Sequence, residues 1–172
     1  MDYKPHRPHG RPIDSDPYFA LMADADGVGY IQCGDGVLVV PLTEDGQVLM
    51  GVERSPAFDR EILLLVGGEV EAGEPLEESA NRELQEELGW RAARIDFLGE
   101  LHPFKYLTAR QAVFLARDLS PSRLPGDELY PVGTRRVPLS DVVDMVWRGE
   151  LCDAPSIAAL SLARAFLQDE TH

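Results

Sequence analysis

Residues Gly68 to Trp90 read GEVEAGEPLEESANRELQEELGW, and this stretch decides the fold. It crowds glutamates around one arginine, with the group Arg82-Glu83-Leu84-Gln85-Glu86-Glu87 at its centre. The pattern predicts a helix from Pro75 to about Leu88. Pro75 suits the first turn, where its missing N–H has no intrahelical partner. Gly89 suits the position just past the end, where a left-handed backbone is common. At about 100° per residue, Glu83, Glu86 and Glu87 fall within one sector of that helix. Like charges so placed repel one another and cost stability. A hard divalent cation reverses the sign, because it takes several oxygen ligands. A solvated, glutamate-rich helix is the competing reading.

On the N-terminal side, the apolar run Ile62–Val66 reads as a strand buried on both faces and leads into Gly67-Gly68. Strand, tight glycine loop and carboxylate-bearing helix then follow in order. The stretch resembles the Nudix box, the signature of hydrolases acting on nucleoside diphosphates linked to another moiety. Gly68, Glu74, Arg82, Glu83, Leu84, Glu86, Glu87, Gly89 and Trp90 fill every fixed position of that pattern. Glu83, Glu86 and Glu87 are the expected ligands of Mg²⁺, with Mn²⁺ as an alternative. In families resembling this one, the first glutamate of the box pairs with its arginine. Glu74 is therefore expected to brace Arg82, whose fork suits a carboxylate; Glu74 as a direct ligand is the alternative.

The chain has 172 residues, 44% hydrophobic, which fits one globular domain. Its net charge of −14 argues against a nucleic-acid-coating surface. That charge also repels a phosphate-bearing substrate, which a bound cation would offset. Cys33 and Cys152 are the only cysteines and have no metal-ligand spacing. A reducing, cytoplasmic setting is the expectation. No apolar run is long enough to span a membrane.

Residues 1–16, with Pro5, Pro8 and Pro12, read as an irregular N-terminal arm, and 17–172 as a single domain. Strands are predicted at Tyr18–Met22, Gly29–Gln32, Val37–Leu42 and Gln47–Val52, with hairpin punctuation at Thr43-Glu44-Asp45-Gly46. Further strands are predicted at Arg94–Leu101 and Ala112–Ala116. A long Pro- and Gly-containing connection is expected from Arg117 to Val137. Helices are predicted at Ser140–Trp147, with Ser140 as cap, and at about Ser156–Gln168. The fold class is α/β, an α/β/α sandwich with a mixed central sheet, which the resemblance also implies.

The segments around the box resemble the ADP-ribose and ADP-compound hydrolase branch. The resemblance runs through Val52-Glu53-Arg54-Ser55-Pro56, Glu61, Arg117-Asp118-Leu119 and Leu124-Pro125-Gly126-Asp127-Glu128. It implies cleavage of a pyrophosphate linkage in ADP-ribose or a similar compound, and a homodimer. A proline of that branch falls at Tyr106 here. Two residues compete for the general base: Glu87, doubling as ligand, and Glu128 on the later loop. Arg54, Glu61, Tyr106 and Gly68 are the candidates for substrate contact, Tyr106 by stacking a base. Lys105 and Arg110 are further cations that could hold phosphate. A nucleoside triphosphatase and a non-catalytic nucleotide sensor are the alternative functions.

Overall fold

The computed structural model describes residues 11–15, 19–55, 58–126 and 133–170. Its centre is strand β4 (Gly36–Pro41), whose successive side chains serve two separate cores. Val37 and Val39 face one side and Leu38 and Val40 the other, as the two-residue period of a strand requires. β8 (Gln111–Pro121) repeats the alternation, with Ala112, Phe114 and Ala116 opposed to Val113 and Leu115. β8 pairs in parallel with β4 and antiparallel with β7 (Trp90–Leu101), so the sheet is mixed. A second, antiparallel sheet has β5 (Gln47–Ser55) between β6 (Arg60–Leu64) and β9 (Gly133–Pro138).

Helix α1 (Leu76–Glu83) and the π-helical turn Leu84–Leu88 cover the first core through Ala80, Leu84 and Leu88. Helices α2 (Val142–Trp147) and α3 (Ala154–Asp169) cover the second, through Val142, Met145, Ala159, Leu160 and Ala163. This is the expected α/β/α sandwich. Each fully buried leucine contributes about 2 kcal/mol by removal of apolar surface from water. Outside the sandwich, β1 (Arg11–Ser15), β2 (Phe19–Ala23) and β3 (Gly29–Cys33) form a meander. It joins the body at a bridge between Ile31 and Leu107, and Thr108 bonds both backbone groups of Cys33.

Several expectations need correction. The arm expected to be irregular over 1–16 contains β1, an edge strand, where Pro12 can lack a donor, and its ladder shifts register between Pro12 and Asp14. The turn at Thr43–Gly46 forms, with Gly46 at φ +75°, but the strands it joins pair only at Leu42–Val48. Beyond that bridge β4 goes to β8 and β5 to β6 and β9, so there is no hairpin. The strand expected at Ile62–Val66 begins at Arg60 on a sheet edge, and its first residues are exposed. The connection expected from Arg117 to Val137 is shortened at both ends, by β8 running on to Pro121 and by β9. Asp141, not Ser140, precedes α2, and Asp153 caps α3 by accepting from Ser156 N at 2.9 Å.

Candidate active site

Two glycines set the approach to the site. A side chain on Gly67 would strike the Val37 carbonyl of β4, and one on Gly68 would strike the Glu83 carboxylate. The loop therefore threads between the central sheet and the acidic helix, at a spacing only glycine allows. Asp35 anchors the same loop: its carbonyl accepts from Val70 N at 3.0 Å, while Gly36 bridges to Glu69. Its carboxylate pairs with Arg110 at 2.9 Å, and Arg110 N donates to it at 2.7 Å. The sequence offered Arg110 as a phosphate cation; the fold places it as Asp35's partner, and the hydrogen bonds it donates to Asp35 hold its pKa up. The role of Asp35 was missed, because its partner lies 75 residues away.

The helix begins at Leu76, with Pro75 preceding it in an extended conformation. It does not stay α-helical to Leu88: the last five residues, Leu84–Leu88, widen into a π turn. Gly89 closes it at φ +74°, in the left-handed region expected of it. Glu86 and Glu87 sit within the π turn, and Glu83 at its entrance.

Arg82 organises the carboxylates. Its Nε and Nη2 donate to the two oxygens of Glu74 at 2.9 and 3.0 Å, a fork-on-fork pair. Its Nη1 donates to Glu83 Oε1 at 2.6 Å and to Glu86 Oε2 at 3.1 Å. Nη2 also reaches the Glu69 carbonyl at 3.1 Å. The bonds to Glu74 first and then to Glu83 raise the Arg82 pKa, and the same guanidinium holds the Glu74 carboxyl below its ordinary value. Glu83 and Glu87 are 7% and 5% exposed, and Glu87 Oε1 accepts from Gly67 N at 3.4 Å.

Among the described residues, no three His, Cys, Asp or Glu side chains converge with the spacing of a metal site. Glu83 and Glu86 both turn to Arg82, and Glu87 toward Gly67. The chemistry of the set nevertheless fits a hard divalent ion: all donors are carboxylate oxygens, and the Glu83 carboxylate lies in the space that the absent side chain of Gly68 leaves.

The other candidates stand elsewhere. Arg54 and Glu61 are opposite each other across β5 and β6, and Arg54 pairs with Asp59 at 2.6 Å on the surface. Tyr106 is 41% exposed, edge-on to Phe104 at 5.5 Å between ring centres, with Lys105 Nζ 4.6 Å over its ring. Glu128 lies outside the described residues.

A mixed-sheet sandwich that feeds a glycine loop into an arginine-braced acidic helix defines a class of hydrolases acting on diphosphate linkages. The chain belongs to the Nudix family: the NUDIX domain model matches residues 34–160. It is similar to the ADP compounds hydrolase NudE of Escherichia coli (strain K12), 31% identical over 137 residues, 79% of this chain and 73% of that one. It is also similar to the ADP-ribose pyrophosphatase of Bacillus subtilis (strain 168), 30% identical over 129 residues, 72% and 69% of the two chains. A solved structure described as an ADP compounds hydrolase superposes with a TM-score of 0.79 at 27% identity, covering 98% of this chain and 96% of its own. The chain is thus a Nudix hydrolase of the ADP-ribose pyrophosphatase branch.

Proposed function

We propose that this enzyme uses Mg²⁺, or Mn²⁺ in its place, to hydrolyse the pyrophosphate linkage of ADP-ribose or a related ADP-sugar. Water adds to one phosphorus, the bridging P–O bond breaks, and AMP and a sugar phosphate leave. The observation that carries this reading is the acidic helix end, where Glu83 and Glu86 bond Arg82 and Glu87, on the same turn, accepts from Gly67 N. Two relatives whose names specify ADP compounds and ADP-ribose support the substrate class.

Glu83, Glu86 and Glu87 would hold the ion, with Glu83 and Glu86 turning from Arg82 toward it. When bound, it neutralises charge on the phosphate oxygens and lowers the pKa of a coordinated water. Arg82 remains with Glu74 and keeps the loop on the helix. Glu128 takes the proton of the attacking water. In support, Gly126, two residues earlier, runs beside Glu86: a side chain there would stand 3.5 Å from Glu86 Cβ. Arg54, Glu61, Tyr106 and Gly68 contact the substrate in this reading. The setting is cytoplasmic and the assembly a homodimer; Phe19 and Leu21, 53% and 42% exposed on β2, provide apolar surface for it. No nucleic-acid partner is expected at a net charge of −14.

A panel of nucleotide sugars, dinucleotides and nucleoside triphosphates, assayed with Mg²⁺ and Mn²⁺, tests the reading by product mass. AMP plus a sugar phosphate is the expected outcome. A nucleoside monophosphate plus pyrophosphate marks a triphosphatase, and binding without turnover marks a sensor. The Glu86→Gln/Glu87→Gln double variant should lose at least about 100-fold in turnover, since even a residue behind a metal ligand costs 10–100-fold. Full activity in that variant would remove the metal assignment.

A further inference from the structure

The π turn that carries Glu86 and Glu87 is held from outside the helix. A π turn takes carbonyls out of the ordinary α-helical ladder, and such turns occur mostly as single turns at functional sites. Here Gly89 N donates to Gln85 O at 3.2 Å, and the segment after β8 adds further donors to the carbonyls at the end of the turn. Leu124 N donates to Gln85 O at 3.3 Å and Ser122 N to Gly89 O at 2.9 Å. Arg123 lays its guanidinium across the end of the turn, Nη1 donating to Glu86 O at 3.3 Å and Nη2 to Glu87 O at 3.5 Å. Gly89 makes room for it, since a Cβ there would come within 3.0 Å of Arg123 Nε.

Side chains continue the brace along the helix. Ser122 Oγ donates to Gln85 Oε1 at 2.9 Å, and Gln85 Nε2 donates to Asn81 O at 2.8 Å. The Asn81 amide then bonds both backbone groups of Ala92 on β7, at 3.0 and 2.9 Å. The helix is thereby tied to β7 at Asn81 and to Arg123 at its last turn.

We propose that Arg123 is a positioning residue, which keeps the π turn open and so presents Glu86 and Glu87 to the divalent ion. This rests on the metal reading above. The two bonds are long, but they join a cation to the helix C-terminus, where positive charge is favourable. Without Arg123, the carbonyls of Glu86 and Glu87 lose their donor and the turn can tighten toward an α-helix. Tightening turns Glu86 and Glu87 about the helix axis relative to Glu83, and the ligand set no longer faces one point.

The test measures Mn²⁺ binding without substrate, by the electron paramagnetic resonance of free Mn²⁺, for wild type and Arg123→Ala, Arg123→Lys, Ser122→Ala and Arg91→Ala. Melting of the metal-free proteins, kcat and KM are read alongside. Arg123→Ala should weaken Mn²⁺ binding about tenfold, as loss of support behind a metal site does. It should lower kcat more than KM changes. Arg123→Lys should recover part of the affinity, because a lysine restores the charge but not the fork. Ser122→Ala should act in the same direction with a smaller effect. Arg91→Ala, which removes an exposed charge nearby in sequence, should bind like wild type. Wild-type Mn²⁺ affinity in Arg123→Ala, even with lowered melting, would reduce Arg123 to a structural contact and overturn this inference alone. A wild-type protein that binds no Mn²⁺ overturns the metal reading and this inference together.

Discussion

Arg82 serves three carboxylates at once, and only one of those bonds is free of the inferred ion site. The Glu74 pair is two-pronged and only 20% and 15% exposed at its two side chains. Arg82→Lys keeps the charge but cannot make that fork while also reaching Glu83. The loss of charge-assisted hydrogen bonds should cost about 2 kcal/mol, or about 4–8 °C of melting temperature for a chain of this size. Calorimetry of the metal-free variant checks it, and an unchanged melting temperature would mean the fork adds nothing. This pairing was legible in the sequence, because residue chemistry and the box pattern agreed on it. The Asp35–Arg110 pair was not, since no local pattern marks two residues that meet only when β4 and β8 align. Glu128 belongs to the same scale. A general base contributes on the order of 10²–10⁴-fold, so Glu128→Gln should lower kcat at least about 100-fold and leave KM nearly unchanged. Wild-type kcat in that variant would return the role to Glu87.

At the scale of elements, the glycine loop and the acidic helix were legible together, but the π turn was not. Periodicity shows that Ala80, Leu84 and Leu88 share a buried face, which both α and π geometry satisfy. The added donors at the end of the π turn come from residues 122–124, beyond a whole β-hairpin. The two loop glycines separate folding from chemistry. Gly67→Ala would drive a methyl into the Val37 carbonyl, backbone of the central sheet that cannot yield. It should cost about 1–3 kcal/mol, the usual range for overpacking. Gly68→Ala would first meet the carboxylate end of Glu83, the far end of a side chain that can swing aside. That variant should melt near wild type and yet lose most of its turnover, because the displaced group is an inferred metal ligand. Thermal melts and initial rates on both variants decide it. Equal losses of stability and activity in the pair would place Gly68 with the scaffold.

For the whole molecule, the sandwich was legible because residues 37–40 of β4 and 112–116 of β8 are apolar runs and the helix after the glycine loop carries one apolar stripe. Sheet membership was not: the turn at Thr43–Gly46 has hairpin chemistry, but each flanking strand finds longer partners elsewhere. β9 escaped notice because its first four residues, Gly133–Arg136, are exposed and give no apolar alternation. The layers are also tied by charge at the end of α3. Glu170 accepts from Arg117 at 2.6 and 3.0 Å and from Arg94 at 2.7 Å, which joins the helix to β7 and β8. Hydrogen bonding from Arg117, then Arg94, holds the Glu170 carboxyl below its ordinary value of 4.5. A carboxyl whose pKa is lower in the folded state binds fewer protons there than in the unfolded chain. Its stabilisation is therefore fully present above pH 4.5 and is lost as pH falls through the lowered folded value. Asp96 stays with both arginines, so the loss is partial. Glu170→Gln should melt below wild type at neutral pH, and the gap should close on acidification. Melting curves of both proteins from about pH 7 to about pH 3 measure it; a gap that stays constant across that range would mean that Glu170 acts through packing and not through its charge.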